Sequence, residues 1–249
     1  MRYFLEIAYH GANFHGWQVQ DNAKSVQGEI NDKLSKLLRE DIFVHGSGRT
    51  DTGVHCAQQY AHFDSSSPFN PADLQHKLNA FLDEDISILS LRKVKAEAHA
   101  RFDALSRAYV YKIVHQKNPF TTGLACFFPH NLDLYLMNQA AGILLQYSDY
   151  QAFCKTRVVV NNYRCSISEA YWKSDQDHTE FHIKANRFLR GMVRLLTGAM
   201  LQVGTGKLTL SEFEEKIQSK SQDSNRYAAP AHGLYLAEVC YPPEIFLTD

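Results

Sequence analysis

At two places in the sequence, one strand-like segment follows another with no helix between them. This feature constrains the fold more than any other. Residues 86–94 and 105–115 form one pair, and residues 163–173 and 179–185 form the other. Strands that are joined without a crossover helix pair antiparallel. Segments with one apolar helical face lie before and after these pairs. The sequence therefore predicts an α+β fold with a mixed, mostly antiparallel central sheet flanked by helices.

The other predicted elements follow from periodicity and from capping residues. Ser25 is a predicted N-cap, and Pro71 occupies a first-turn position that suits proline. Strands are also predicted at 2–9, 42–45, 54–64 and 233–241, and helices at 25–39, 70–82, 132–146, 187–203 and from 211. The second half repeats the outline of the first. We therefore expect two similar halves, residues 1–117 and 118–249, which share one continuous core around a basic cleft.

The charges are distributed unevenly although the formal net charge is only −1. Residues 181–207 contain five lysines and arginines and no acid, and residues 92–117 contain seven against two acids. A polyanion responds to the local field rather than to the net charge. The pattern suits a basic groove for nucleic acid, although the charges can also be scattered and solvated.

Cysteine usage and hydropathy indicate a cytoplasmic protein. The five cysteines are widely spaced and never form a C-x-x-C motif, so neither a disulfide framework nor a zinc knuckle is expected. No run of 18 apolar residues predicts a membrane span, and the first residues do not resemble a signal peptide. The chain contains no P-loop and no G-x-G-x-x-G motif, so we expect no nucleotide cofactor.

The most informative segment runs from Gly46 to His55 and reads GSGRTDTGVH. Its three glycines permit a tight turn between two strands, with positive φ where needed. Such a turn can present the carboxylate of Asp51 at the rim of a sheet, with Arg49 two residues away. A carboxylate kept ionised in a partly dry pocket is available as a nucleophile. The same pattern also fits an ordinary β-turn with a solvated acid.

This segment and four others resemble, in the same order, motifs of the TruA family of tRNA pseudouridine synthases. The others are FHGWQVQ at 14–20 with SVQ at 25–27, HARFDA at 99–104 with SRAYVY at 106–111, FLRGMVR at 188–194 with VG at 203–204, and APAHGLYL at 229–236. Together they span nearly the whole chain. Cys56 departs from the pattern, where a small residue such as alanine is expected, and this affects the packing of the loop rather than its chemistry.

The resemblance implies the pseudouridine synthase fold and a role for each matching residue. Asp51 takes the place of the nucleophile, and Tyr109 that of an active-site tyrosine able to stack on an extruded uracil or to relay a proton. Arg194 matches a helix arginine that pairs with the nucleophile. Leu234 matches an apolar residue beside the uracil pocket. From the residues alone, Tyr109 and Leu234 also fit ordinary core positions, and Arg194 also fits a solvated basic face.

Other residues are candidates for contacts with RNA. With a helix predicted over 187–203, Arg187, Arg190 and Arg194 share one helical face. The candidates for phosphate contact are Arg101, Arg107, Lys184, Arg187 and Arg190, and Arg49 is a further candidate for binding the substrate. The side chains of Phe14 and Trp17 can either stack on RNA or fill the core.

The resemblance further implies uridines 38, 39 and 40 of the tRNA anticodon stem-loop as substrate, no cofactor, and a homodimer whose groove uses both subunits. Two alternatives stand beside it. A metal enzyme would use His45, His55, Cys56 and His62, but this spacing matches no familiar zinc pattern. The other alternative is a catalytically inactive tRNA-binding protein of the same fold, and the intact trio Arg49-Thr50-Asp51 beside Tyr109 and Arg194 argues against it.

Overall fold

The structure, a computed structural model, describes residues 1–155, 162–175, 178–222 and 227–247. These residues contain nine strands and five α-helices. The strands are β1 (Arg2–Tyr9), β2 (His45–Gly46), β3 (His55–Asp64), β4 (Ile86–Lys93), β5 (Ser106–Val114), β6 (Cys126–Phe127), β7 (Ile167–Ser174), β8 (His178–Ala185) and β9 (Leu234–Cys240). The helices are α1 (Val26–Leu38), α2 (Pro71–Phe81), α3 (Leu134–Leu144), α4 (Met192–Gly204) and α5 (Leu210–Ser219).

The chain divides into two compact units. The first consists of Met1–Leu105 and Tyr235–Asp249, and the second is Ser106–Leu234. The sequence outline predicts a single division after residue 117. The structure instead divides the chain after Leu105 and again after Leu234. The last strand returns to the first unit because β9 pairs in parallel with β3. That the halves share one continuous core stays a prediction.

In the first unit the strand order is β4-β1-β3-β9, and β2 also pairs with β3. The pairs of β1 with β3, β1 with β4 and β2 with β3 are antiparallel. In the second unit the order is β5-β8-β7, with both pairs antiparallel and with β6 parallel to β5. The predicted α+β class with mostly antiparallel pairing is confirmed, and β7 pairs with β8 as predicted. The predicted pairing of β4 with β5 is wrong, because β4 pairs with β1 in the first unit and β5 pairs with β8 in the second.

Helix α1 forms where the sequence predicts it, for the predicted reasons. The side chain of Ser25 accepts a hydrogen bond from the Gly28 N–H at 3.2 Å, which satisfies one of the unpaired donors of the first turn. Val26, Ile30 and Leu34 lie four residues apart and are all buried. The capping and the apolar face therefore agree, and together they fix the position of this helix.

The predicted strand at residues 42–45 is wrong, because only His45 and Gly46 join the sheet. The backbone before them bonds to side chains of α1. Asn31 Oδ1 accepts from the Val44 N–H at 2.9 Å, and Gln27 Nε2 donates to the Val44 carbonyl at 2.8 Å. Ile42 and Val44 are buried and Phe43 is exposed, so the segment alternates like a strand without pairing as one.

The core of the second unit lies between its sheet and its helices. The ring of Trp172 on β7 stacks on Phe181 of β8 with centroids 4.9 Å apart, and its Nε1 donates to the sulfur of Met200 on α4 at 3.4 Å. Helix α5 begins with a capping box, in which Thr209 and Glu212 exchange hydrogen bonds. This Thr-x-x-Glu signal places the N-cap two residues before the predicted start at Ser211.

Two further boundaries differ from prediction. The strand predicted from Tyr163 begins only at Ile167, because Cys165 N–H donates to the Ser148 carbonyl and Tyr150 N–H donates to the Tyr163 carbonyl. Helix α4 begins at Met192 rather than Arg187, since Gly191 has φ 73° and cannot continue a right-handed helix.

No helix within the described residues combines the length and apolar composition needed to cross a bilayer.

His62 on β3 is the buried member of a cluster of three histidine rings. Its ring centroid lies 4.9 Å from that of His45 and 4.5 Å from that of His99, and its Nδ1 accepts from the Ala100 N–H at 3.2 Å. Burial, and then the positive charges of His99, Arg2 and His45, lower the pKa of His62 to about 4. The imidazole is therefore neutral in the folded protein.

We expect acid to destabilise the protein partly through His62. The unfolded chain binds this proton near pH 6.5, so the contribution of His62 is complete above that pH and is lost as the pH falls towards 4, by about 3 kcal/mol. In urea titrations, His62→Gln should flatten the fall of the unfolding free energy across this range. The exposed His76 supplies the control, and an equal flattening in His76→Gln would contradict the assignment.

Candidate active site

Asp51 lies in the connection between β2 and β3, in the first unit. The Val54 N–H donates to the Asp51 carbonyl at 3.1 Å and closes a turn whose third residue, Gly53, has φ 75°, as a type II turn requires. Asp51 is half-buried and Arg49 is exposed. The predicted turn is confirmed, with Asp51 at its first position and only partly in contact with solvent.

Hydrogen bonds of Thr50, the residue before Asp51, hold the turn in place. The hydroxyl groups of Thr50 and Tyr9 form a hydrogen bond of 2.8 Å, and the Thr50 carbonyl accepts from the Trp17 N–H at 3.3 Å. Thr50 is buried. The backbone that carries Asp51 is therefore tied both to β1 and to the segment before α1.

Three glycines allow the segment at residues 11–17 to approach this turn closely. A Cβ atom on Gly16, whose φ is 84°, would lie 2.4 Å from the Thr50 carbonyl oxygen. A Cβ on Gly11 would lie 2.0 Å from the Val54 carbonyl oxygen, and one on Gly46 would lie 2.6 Å from the Trp17 ring. Real side chains do not fit at such distances, so Gly11 and Gly16 pack backbone against backbone on the turn, and the Gly46 backbone packs directly on the Trp17 ring.

The aromatic residues of the same segment belong to the core. Trp17 and Phe14 are each 1% exposed, so their side chains support the turn from inside and are not surface rings for stacking on RNA. The ring of Trp17 lies 6.3 Å from that of Tyr9, which extends the contact to β1. Of the two alternatives left open by the sequence, packing in the core is the one observed.

The side chains of His55 and Cys56 also pack in the protein core. His55 is buried, its Nδ1 accepts from the Gly11 N–H at 3.0 Å, and its ring stacks on Tyr235 at 4.7 Å. Burial raises the pKa of the Cys56 thiol, which lies 3.8 Å from the Ile7 carbonyl oxygen. The departure from alanine at position 56 is thus accommodated in the core. Within the described residues, no three His, Cys, Asp or Glu side chains are grouped to hold a metal ion.

Tyr109 lies on β5 in the second unit, two residues from Tyr111. The Tyr111 ring is fully buried and its hydroxyl donates to the Pro230 carbonyl at 2.9 Å. Tyr109 is only half-buried, and its ring meets that of Phe188 edge to face at 5.1 Å. Arg107, two residues earlier, donates from Nη1 to the Asn186 carbonyl at 2.9 Å. Tyr111 is therefore the core tyrosine of this strand, whereas Tyr109 keeps part of its surface accessible.

Arg194 lies in the first turn of α4 and is half-buried. Its Nε donates to the Ala229 carbonyl at 2.7 Å, and its own carbonyl accepts from the Ala229 N–H at 3.0 Å. One turn further, a Cβ on Gly198 would lie 1.4 Å from the Tyr227 carbonyl oxygen. The segment before β9 is therefore seated directly on α4, and this contact orients the Arg194 side chain. Leu234, which follows that segment, is 5% exposed.

The structure changes the arrangement of the remaining arginines. Arg187 and Arg190 precede α4, so the prediction that they share a helical face with Arg194 is wrong; Gly191 ends any continuous helix between them. Arg190 and Arg101 are exposed, and the Arg101 guanidinium lies 5.6 Å from the ring centroid of Phe102. Arg187 Nη1 contacts Asn162 Oδ1 at 3.4 Å. Their contact with phosphate stays a prediction.

Several supporting residues were not assigned a role from the sequence. Tyr9 and Thr50 bond across 41 residues, and no local pattern signals such a pair. Gly16 and Gly46 stand inside motifs quoted above, yet their roles depend on distances to Thr50 and Trp17. Phe188 is the first residue of the FLRGMVR motif, but only the structure reveals its contact with Tyr109.

Comparison with known proteins identifies the class to which this fold and these residues belong. The model of the family described as tRNA pseudouridine synthase matches residues 7–103 and 144–242. The chain therefore belongs to the tRNA pseudouridine synthase family, whose members are isomerases.

Individual relatives are similar over almost their whole length. The chain is 42% identical over 250 residues to the tRNA pseudouridine synthase A of Porphyromonas gingivalis, covering 99% of both chains. It is 43% identical over 245 residues to that of Azobacteroides pseudotrichonymphae, covering 98% of both. It is 37% identical over 246 residues to that of Bacillus pumilus, covering 97% of this chain and 99% of the relative.

Proposed function

We propose that this protein isomerises uridine to pseudouridine at positions 38, 39 and 40 of the tRNA anticodon stem-loop. The observation that carries the proposal is the half-buried carboxylate of Asp51, presented by a turn that is fixed through Thr50 and Gly16. A positioned carboxylate of this kind suits nucleophilic action on a nucleotide. The family of the chain and the names of its relatives support the same reaction.

The proposed reaction breaks the bond between C1′ of the ribose and N1 of uracil, and forms a bond between C1′ and C5. The C5 proton is lost and N1 gains a proton, so no oxidant or energy source is required. Asp51 serves this sequence by attacking C1′, by adding to C6 of the base, or by acting as a base on the sugar. Each of these routes needs the ionised carboxylate and direct access to the nucleotide.

The reacting uridine has to leave the stack before a carboxylate can reach it. Extrusion costs a few kcal/mol, and stacking on an aromatic ring returns about 1–3 kcal/mol. We propose that Tyr109 supplies this ring, since it is half-buried and its ring packs nearly perpendicular to that of Phe188. Its hydroxyl is also suited to relaying the C5 proton.

Substitutions at Tyr109 separate these two roles. If the hydroxyl relays the proton, Tyr109→Phe should lower the rate at saturating tRNA by about 10²-fold or more, with little change in affinity. Tyr109→Leu should in addition weaken tRNA binding, because the ring is lost. Single-turnover rates and binding titrations measure both. Tyr109→Phe with the wild-type rate would remove the relay and leave stacking alone.

The other proposed contacts follow the resemblance. We propose that Arg194 pairs with Asp51 and that Leu234 borders the uracil. A crystal structure with bound RNA in which the Arg194 guanidinium is remote from the carboxylate would refute the pairing. Arg49, Arg101, Arg107, Arg187 and Arg190 are proposed to contact the RNA, and a salt series on their variants tests each of them.

The proposal includes a cytoplasmic symmetric dimer that reads tRNA mainly by shape and backbone, because adjacent uridines share little base sequence context. A monomer at micromolar concentration in sedimentation would contradict the dimer. The reaction itself is tested with tRNA labelled with tritium at uracil C5. Release of tritium, with pseudouridine mapped to positions 38–40, supports the proposal. Tight tRNA binding without release would identify an inactive binding protein instead, and loss of release on chelation would indicate a metal enzyme.

A further inference from the structure

A cavity of about 320 Å³ lies at the carboxyl end of β5, in the second unit. It is lined by Val114, Lys117, residues of the segment from Asn118 to Phe127, and His232. None of these residues has a role in the proposed reaction. The volume is in the range of small-ligand sites and suits a single nucleotide.

The segment that forms the wall is organised by its own hydrogen bonds. Asn118 caps the turn Pro119–Thr121 by accepting from the Phe120 N–H at 2.9 Å. The Asn118 carbonyl accepts from the hydroxyl groups of Thr121 at 3.1 Å and Thr122 at 3.3 Å. The segment then returns as β6, parallel to the end of β5. The wall of the cavity is therefore held by hydrogen bonds within the segment itself and by its pairing with β5.

The charge around the cavity favours an anion. Lys117 and His232 line it, and its lining includes no aspartate or glutamate. Within the described part of the chain, neither of these two side chains has an ion pair or a side-chain hydrogen bond. Residues 104–132 contain no acid, in a chain with 27 acidic residues overall. An anion that enters the cavity meets two nitrogen donors and no opposing carboxylate.

The same segment exposes aromatic surface. Phe127 lines the cavity and is 48% exposed, and Phe120 is 88% exposed. Exposed rings beside lysine are the composition of surfaces that hold unpaired nucleotides, where the base stacks on a ring and the phosphate meets a cation. An aromatic ring next to basic donors suits a nucleotide better than it suits an inorganic anion alone.

We propose that this cavity binds a second nucleotide of the tRNA, with its phosphate on Lys117 and His232 and its base on Phe127. The inference rests on the proposed function for the identity of the RNA. Val114 follows Tyr109 by five residues, which is roughly 16 Å along an extended strand. The nucleotide in the cavity is therefore distinct from the uridine at Tyr109, and the site serves binding and register rather than the reaction.

The test measures binding of an unmodified tRNA transcript to Lys117→Gln, His232→Gln and Phe127→Leu over a salt series. Loss of one phosphate contact by Lys117→Gln should reduce the slope of log K against log salt by about 0.8 and weaken binding about fivefold at 0.15 M salt. His232→Gln should weaken binding less, and Phe127→Leu should weaken it about fivefold with an unchanged slope. Tritium release at saturating tRNA should stay within about twofold of wild type in all three.

Lys77 on α2 is exposed and supplies the control, since Lys77→Gln removes the same charge far from the cavity in sequence. A wild-type salt slope in Lys117→Gln, or an equal loss in Lys77→Gln, would overturn the proposal. So would an altered sedimentation coefficient with unchanged tRNA affinity in Phe127→Leu, which would make the exposed rings a protein interface. Absence of tritium release from the wild-type protein would reject the proposed function and would leave the binding result to be judged separately.

Discussion

Asp51→Asn is expected to lower the rate of pseudouridine formation at saturating tRNA by about 10³-fold or more. Asparagine has the shape of aspartate but cannot act as a nucleophile or as a base, whichever of the three routes the reaction takes. The turn should persist, because its hydrogen bond runs from the Val54 N–H to the backbone carbonyl of residue 51. The affinity for tRNA should stay within about threefold of wild type, since no contact with a phosphate is removed.

Single-turnover tritium release and equilibrium binding measure the two effects separately. Asp41 is exposed and precedes β2, so Asp41→Asn removes the same charge from the same unit without touching the turn. Its rate should equal that of wild type. If Asp51→Asn keeps a rate within about tenfold of wild type, the nucleophile has been assigned to the wrong residue. If both variants lose the rate together, a general effect of charge is responsible.

Gly16→Ala is expected to lower the unfolding free energy by about 2–4 kcal/mol. Two causes add here: alanine at φ 84° is strained, and its Cβ would lie 2.4 Å from the Thr50 carbonyl oxygen. Because the obstacle is backbone, either the turn or the segment at 11–17 has to move. The rate at saturating tRNA should fall as well, since Asp51 follows Thr50 directly.

Two other glycines separate these causes. Gly206 has φ 71° with no atom within 4 Å of a Cβ, so Gly206→Ala should cost only about 1 kcal/mol. Gly48 lies in the same loop as Asp51, also has open space around a Cβ, and is not among the residues with positive φ. Gly48→Ala should therefore change stability by less than about 0.5 kcal/mol. Equal destabilisation of all three variants in urea titrations would show that the close approach of Gly16 has no energetic effect.

The features predicted correctly from the sequence are those that depend on neighbours in the chain. Ser25 caps α1 through a donor three residues away, and Pro71 stands in the first turn of α2, directly after the N-cap Asn70. The turn at Asp51 needs only Gly53 two residues later. In each case the residues that determine the structure lie within one turn of each other. Local propensity and hydrophobic periodicity are therefore sufficient to predict these elements from the sequence.

The errors arise where distant groups compete for the backbone. Residues 42–44 alternate like a strand, but the amide groups of Gln27 and Asn31 take the hydrogen bonds that a neighbouring strand would need. The helix predicted over 187–203 includes Arg187 and Arg190, but the left-handed backbone of Gly191 makes the observed helix begin at Met192. Such outcomes depend on tertiary packing, which a single sequence pattern does not contain.

The same limit applies to the candidate site. Asp51, Tyr109 and Arg194 were selected by resemblance to motifs, whereas their supports were not. Thr50 meets Tyr9, and Arg194 meets Ala229, across 41 and 35 residues. No periodicity connects residues at that separation. The identity of the reacting groups can therefore be predicted from short motifs, but the contacts that hold them in place require the structure.

The return of the last strand to the first unit has a consequence for the order in which the protein is made. Residues 106–234 form a unit from one uninterrupted stretch, whereas the unit with Asp51 needs β9 beside β3 and Ile245 packed against Phe4. A ribosome delivers these partners only after the whole second unit has been synthesised. The nascent N-terminal half must therefore wait with part of its apolar surface uncovered, and it reaches its final state after the later half.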